Sequence, residues 1–156
     1  IATAYVADNI PRASDAKWLA KFGGMPDRPG NTHPPSGKFN AGEKVLFWLL
    51  VCVLCVLLVL SGYVLLFPNF DQTRSTMQIA NIVHIGAALL AIAMACFHIY
   101  LGTVGMRGAF DAMRYGYVDE AWAKEHHEYW YNDVVAGKLP RGPEPAATLP
   151  RSRFAV

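Results

Sequence analysis

Two long stretches of this 156-residue chain contain no charged residue. The first runs from Val45 to Phe67 and the second from Asn81 to Gly105. A helix of the first length extends about 34 Å, enough to cross a hydrocarbon core of about 30 Å. Neither stretch has the position or the flanking residues of a signal peptide, so a cleaved leader is excluded for both. The missing charges therefore predict two transmembrane helices.

Cysteine and net charge are also scarce. The three cysteines, Cys52, Cys55 and Cys96, all fall inside the uncharged stretches, where they are expected to be buried small side chains without a redox role. Cys52 and Cys55 form a C-x-x-C pair, but no histidine follows, which excludes a c-type haem attachment motif. The net charge of +2 gives no argument for nucleic acid as a partner.

The lysines and arginines indicate the orientation in the membrane. Six precede the first stretch, seven follow the second, and only Arg74 lies between the two. The positive-inside rule then predicts that both ends are cytoplasmic and that the loop 68–80 faces the other compartment. Because this loop is short, the two helices are expected to be antiparallel neighbours.

Composition predicts the structure of the segments outside the two spans. Residues 1–44 form a cytoplasmic N-terminal segment and loop, in which Asn40 and Glu43 have the spacing of a capping box for the first helix. Residues 106–135 contain aromatic residues among charges and predict a cytoplasmic amphipathic helix for the interface or for protein docking. Residues 136–156 are rich in proline and predict an extended tail that is ordered only against a partner.

His84 and His98 lie fourteen residues apart in the second stretch. In an α-helix this interval brings two side chains within about 40° of each other and about 21 Å apart along the axis. Between them the same face carries only small residues, namely Ala88, Ala91 and Ala95. The pattern predicts two imidazoles at two depths, with a smooth stripe against which a flat partner can lie.

Three interpretations of these histidines remain open: axial ligands of two b-type haems, protonatable relay groups, or polar residues that bind neighbouring helices. The fourteen-residue interval favours haem, because one haem near each leaflet gives electrons a path across the bilayer. Two haems with two histidines each need four ligands. The other histidines, His33, His126 and His127, lie outside the spans. The missing ligands are therefore expected from outside this chain.

Asn40, Gly42 and Glu43 lie where the first span begins, on the side of His98. A quinone needs hydrogen-bonding groups for its carbonyls and a proton source, which Asn and Glu provide. Helix capping is the simpler interpretation of the same residues. His126 and His127 are interpreted as a surface or docking pair rather than a metal site, because adjacent residues on a helix point in divergent directions.

Several stretches resemble the gamma subunit, the membrane cytochrome b, of respiratory formate dehydrogenases of the nitrate-inducible type. The resemblance extends from about Val6 to Asp133 in order and spacing. It rests on Asn9-Ile-Pro11, Gly37–Lys44 running into Phe47-Trp48, the His84 and His98 pair, and Trp122–His127 followed by Trp130-Tyr131.

The resemblance implies an all-α membrane protein that is the C-terminal half of a four-helix di-haem bundle, with one haem ligand on each of the two preceding helices. It implies that His84 binds the periplasmic-side haem iron and His98 the cytoplasmic-side haem iron. Asn40, Gly42, Glu43 and His98 then correspond to the quinone pocket. Many relatives have Gln at the position of Glu43, which leaves the protonation chemistry open.

The resemblance further implies a place in the bacterial inner membrane, with the loop 68–80 in the periplasm, and a function. Electrons from an iron–sulfur (beta) subunit pass through both haems to membrane quinone, and formate is oxidised at a molybdenum or tungsten centre in the catalytic (alpha) subunit. The expected partners are those two subunits, quinone, membrane lipid and the missing N-terminal half. Two alternatives stay open: a cytochrome b subunit of a hydrogenase or other respiratory oxidoreductase, and a membrane anchor with incomplete haem sites.

Overall fold

A computed structural model describes residues 5–24, 33–139 and 153–155. The described chain is mostly helical, as predicted. The described residues form two compact units: one contains residues 5–24, 33–44, 100–139 and 153–155, and the other contains residues 45–99. Most of the Pro-rich tail lies outside the described residues.

The two predicted spans are present as long helices. The first comprises α2 (Ala41–Leu46), a π-helical segment (Phe47–Leu54) and α3 (Cys55–Leu66), and the second comprises α4 (Arg74–Tyr100) and a π-helical turn (Leu101–Gly105). Only 11% and 6% of their apolar windows are buried, unlike the core helix of a soluble protein. Both helices are long and apolar enough to cross a membrane.

The second helix begins seven residues before the predicted start at Asn81. The Thr73 hydroxyl accepts the backbone N–H of Thr76 at 3.1 Å and so satisfies one of the first amides of the helix. Gln72 donates to the carbonyls of Val64 and Phe67 and so satisfies the end of α3. The loop between the spans is therefore shorter than the predicted 68–80, because polar residues form the first turns of α4.

The prediction that the cysteines are buried is wrong for the described chain. All three are free thiols; Cys52 is half-buried, whereas Cys55 and Cys96 are exposed. A thiol is a small, weakly polar group that an apolar surrounding tolerates as well as a packed interior does. Composition alone does not distinguish these two environments.

The predicted single helix over 106–135 is instead three short helices and a strand: α5 (Ala109–Tyr115), β1 (Tyr117–Asp119), α6 (Glu120–His126) and α7 (Glu128–Val135). Gly116 ends α5 with a φ of +72°, a conformation that glycine adopts without strain. The Asp119 carboxylate then caps α6 by accepting the amide of Ala121 at 2.9 Å. His127, with a φ of −135°, separates α6 from α7.

A small hydrophobic core holds these pieces together. Its buried members are Val118, Ala123, Trp130 and Val134, with Ala112, Trp122 and Tyr131 packed against them. Strand β2 (Arg153–Ala155) pairs antiparallel with β1, so that Val118 lies opposite Phe154. No strand was predicted in the tail from the sequence. The same unit also contains α1 (Ala13–Ala20) and a 3₁₀ turn (Phe22–Gly24).

Candidate functional site

His84 lies against the end of the first span. Its Nδ1 is 3.0 Å from the Oγ of Ser61. Ser61 is buried, and its hydroxyl is also 2.5 Å from the carbonyl oxygen of Leu57. The contact joins a residue near the end of α3 to one near the start of α4, which agrees with antiparallel neighbours.

The hydrogen bonds of Ser61 define the tautomer of His84. A carbonyl oxygen only accepts, so the single hydroxyl hydrogen of Ser61 is donated to Leu57. The Ser61 oxygen then accepts from His84, which places the imidazole hydrogen on Nδ1. The lone pair of the neutral ring is left on Nε2. This is the nitrogen that His84 offers to a metal.

Gly62 gives the His84 ring its place beside α3. A Cβ atom at this position would lie 3.3 Å from the Cε1 atom of His84, closer than ordinary van der Waals contact. Glycine therefore allows the imidazole to approach the helix backbone. Ser61 and Gly62 together fix both the position and the hydrogen-bonding state of the ring.

His98 lies on the same helix as His84. Helix α4 is regularly α-helical from Arg74 to Tyr100, and the π-helical turn begins only at Leu101. The fourteen-residue interval therefore keeps the predicted angle of about 40° between the two side chains. The His98 side chain is exposed, whereas His84 is half-buried. The His84 ring is thus held by a hydrogen bond within the described chain, whereas the His98 ring is exposed.

The residues between the two histidines are compatible with a haem. Ala88, Ala91 and Ala95 are half-buried and offer no side chain longer than a methyl group. Haem iron needs a neutral imidazole nitrogen and an apolar slot for the porphyrin. Nε2 of His84 would supply the nitrogen, and the alanine stripe would leave room for a flat group.

Asn40 and Glu43 form the predicted capping box. The amide of Glu43 donates to Oδ1 of Asn40 at 2.9 Å, and the amide of Asn40 donates to Oε2 of Glu43 at 2.7 Å. The capping interpretation of these two residues is therefore confirmed. Their quinone role stays a prediction, and the side-chain NH2 group of Asn40, which takes no part in the capping box, is the donor that a quinone carbonyl needs.

Gly42 lies beside the indole of Trp18. A Cβ atom on Gly42 would be 3.1 Å from the Cη2 atom of this ring. Next to it, the amine of Lys44 forms a 2.8 Å ion pair with Asp15, and both side chains are largely buried. Removing one partner of such a pair leaves an uncompensated charge, which costs about 3–5 kcal/mol. Helix α1 is therefore held firmly against the beginning of the first span.

The contacts of Ser61, Gly62 and Trp18 were not predicted from the sequence. A signal for the first two exists, because they are the only serine and the only glycine between Val45 and Phe67. A hydroxyl beside a glycine in a membrane helix marks a close helix contact. For Trp18 the sequence offers no comparable signal, because its contact with Gly42 joins segments that are distant in the chain.

A membrane helix with two histidines on one face, one of them oriented by a hydrogen bond, is the arrangement of a membrane cytochrome that binds b-type haem. The chain belongs to the prokaryotic cytochrome b561 family, whose sequence profile matches residues 2–116. Membership in this family makes it a membrane protein of the b-type haem class.

Several curated relatives are cytochrome subunits of formate dehydrogenases. The chain is 31% identical over 134 residues to the nitrate-inducible cytochrome b556(Fdn) subunit of Escherichia coli strain K12, which covers 83% of this chain and 60% of that protein. It is 34% identical to the cytochrome b556 subunit of Haemophilus influenzae, covering 89% of this chain and 58% of that protein.

A third relative is the cytochrome b556(fdo) subunit of Escherichia coli strain K12. It is 37% identical over 101 residues, which cover 64% of this chain and 47% of that protein. The chain thus spans about half to three fifths of the length of these curated relatives.

Proposed function

We propose that this chain is the electron-transfer subunit of a formate dehydrogenase, joining an iron–sulfur subunit to membrane quinone. The observation that carries the proposal is the hydrogen bond between Ser61 and His84, which leaves Nε2 of an intramembrane imidazole available to iron. The relatives, which are cytochrome subunits of formate dehydrogenases, supply the electron donor in this proposal. Formate oxidation itself belongs to the catalytic subunit.

His84 and His98 each bind one b-type haem in this proposal. Haem supplies one-electron chemistry when it is bound. His84 offers Nε2, and Ser61 keeps the ring in one tautomer and one orientation. His98 lies about 21 Å further along the same regular helix, so its site is at another depth of the membrane. The second ligand of each haem comes from outside this chain.

The quinone is proposed to bind at the beginning of the first span. Asn40 donates a hydrogen bond to a quinone carbonyl, and Glu43 carries the proton that the reduced ring takes up. The indole of Trp18 forms an apolar wall beside Gly42. Because the capping box already fixes Asn40 and Glu43, these groups need little reordering when the quinone binds.

The proposed membrane is the bacterial inner membrane, with both ends of the chain in the cytoplasm. Thirteen of the fourteen lysines and arginines flank the two spans on that side, and only Arg74, the first residue of α4, lies between the two uncharged stretches. Quinone reduction and proton uptake are then cytoplasmic.

A redox difference spectrum of native membranes tests whether formate is the source of the electrons that reduce this subunit. Formate is expected to reduce the b-type absorbance of this subunit, and added quinone is expected to reoxidise it. Membranes that lack only this chain are the control and should retain formate oxidation with a soluble dye. Reduction by hydrogen but not by formate would contradict the formate assignment and favour a hydrogenase, and no b-type absorbance would favour a membrane anchor.

A further inference from the structure

A short segment of the N-terminal region, residues 33–37, is docked on helices α6 and α7. The Ser36 hydroxyl donates to the carbonyl of His126 at 2.6 Å, and the Ser36 carbonyl accepts the amide of Tyr129 at 3.0 Å. Nδ1 of the buried His127 donates to the carbonyl of Gly37 at 2.8 Å. These bonds join parts of the chain that are ninety residues apart and place His33 beside the end of α6.

Three metal-binding side chains meet at this contact. The ligand atoms of His33, Glu125 and His126 all lie within 4.8 Å of one another. The rings of His33 and His126 are 4.5 Å apart between centroids. The expectation that His126 and His127 diverge is met, since His127 faces Gly37 while His126 faces His33. Of the two alternatives for this pair, a surface pair or a docking pair, the surface alternative is wrong for His127, which is buried.

The hydrogen bond of His33 directs its other nitrogen into the cluster. Nδ1 lies 2.8 Å from the carbonyl oxygen of Gly23, so Nδ1 carries a hydrogen and donates it. Metal-binding histidines usually donate their second nitrogen to a carbonyl or carboxylate in this way. Nε2 of His33 then faces Oε1 of Glu125 at 3.6 Å.

This distance is compatible with a metal ion that both atoms bind. A charge-assisted hydrogen bond between imidazole and carboxylate is about 2.7–2.9 Å long, which is clearly shorter. Two ligands on one tetrahedral zinc ion, with bonds of about 2.0–2.1 Å, lie about 3.3 Å apart. The separation of His33 and Glu125 is close to the second value.

We propose that His33, Glu125 and His126 bind a zinc ion. Two imidazoles and one carboxylate are three of the four ligands of a tetrahedral site, and water takes the fourth position. The side chain of Glu125 is 60% exposed and that of His33 only 16%, so the open position faces solvent beside Glu125. The ion ties residues 33–37 to α6 and stabilises the contact between the two segments.

The test measures zinc in the purified full chain in detergent, after stripping with a chelator and reloading with zinc chloride. The wild-type chain is expected to retain one more zinc per chain than the Glu125→Gln variant. Removal of a ligand should weaken zinc binding by at least about tenfold. Cobalt(II) in place of zinc should give the visible absorption bands of a tetrahedral ion in the wild type only.

Two further variants test whether the zinc is bound by the proposed ligands in particular. Glu128→Gln, on an exposed residue three positions away, should bind zinc like the wild type. His33→Gln should lose the zinc as Glu125→Gln does. Equal zinc content in wild type and Glu125→Gln would overturn the proposal, as would a wild type that binds none. The haem spectrum is recorded in parallel on the complex from native membranes that carries the same variants, and because no haem ligand is altered, its loss or retention reports separately on the proposed function.

Discussion

Replacing His84 with alanine is expected to remove one of two b-type haems, and replacing His98 should remove the other. Each substitution removes an axial nitrogen from a different haem, so each variant should retain about half of the haem of the wild type. The pyridine haemochrome assay on the complex purified from native membranes measures this count. The double variant should contain none.

The control for this experiment is the hydroxyl that orients His84. Ser61→Ala keeps both axial ligands, so its haem count should equal that of the wild type. Loss of the hydrogen bond makes the imidazole a weaker donor, which should raise the midpoint potential of one haem by on the order of tens of mV. Ser61→Thr keeps a hydroxyl and should restore the potential. Retention of both haems in the double histidine variant would exclude these residues as ligands.

Changing the residues at the beginning of the first span is expected to slow quinone reduction while haem reduction by formate stays intact. Asn40→Ala removes one hydrogen bond to the quinone, and a loss of about 1.4 kcal/mol corresponds to about a tenfold slower reaction. Glu43→Ala removes the proton source and should have an effect at least as large. Stopped-flow reoxidation of the reduced haem by quinone measures the rate.

The capping box requires a matched pair of variants, because alanine at the cap also costs about 1 kcal/mol of helix stability. Asn40→Ser preserves the cap and removes the amide, and Glu43→Gln preserves the box and removes the carboxylate. If the residues bind quinone, these variants should also be slow although their helix is intact. Quinone kinetics like the wild type in both would leave Asn40 and Glu43 as capping residues alone.

The features that could be predicted from the sequence depend on local pattern. The missing charges gave the two spans, and the Asn40 and Glu43 spacing gave the capping box that the structure contains. Both signals lie within one helix, where spacing determines geometry. The relative placement of His84 and His98 could be predicted for the same reason, because both lie within the regular helix α4.

The features that were missed depend on contacts between distant segments. Ser61 reaches His84 across a helix pair, and His33 meets Glu125 only because Ser36 docks on α6 and α7. The division of residues 106–135 into separate helices was missed for another reason. Aromatic and charged residues in this region have an amphipathic composition, but Gly116 and Asp119 provide the local stop and start signals.

The central claim is that His84 and His98 are the ligands of two b-type haems, each completed from outside this chain. The most direct measurement is the number of haems per copy of this chain in the complex purified from native membranes, with the His84→Ala and His98→Ala complexes alongside. The expected result is two haems in the wild type and one in each variant. Two haems in all three samples, or none in the wild type, would contradict the claim.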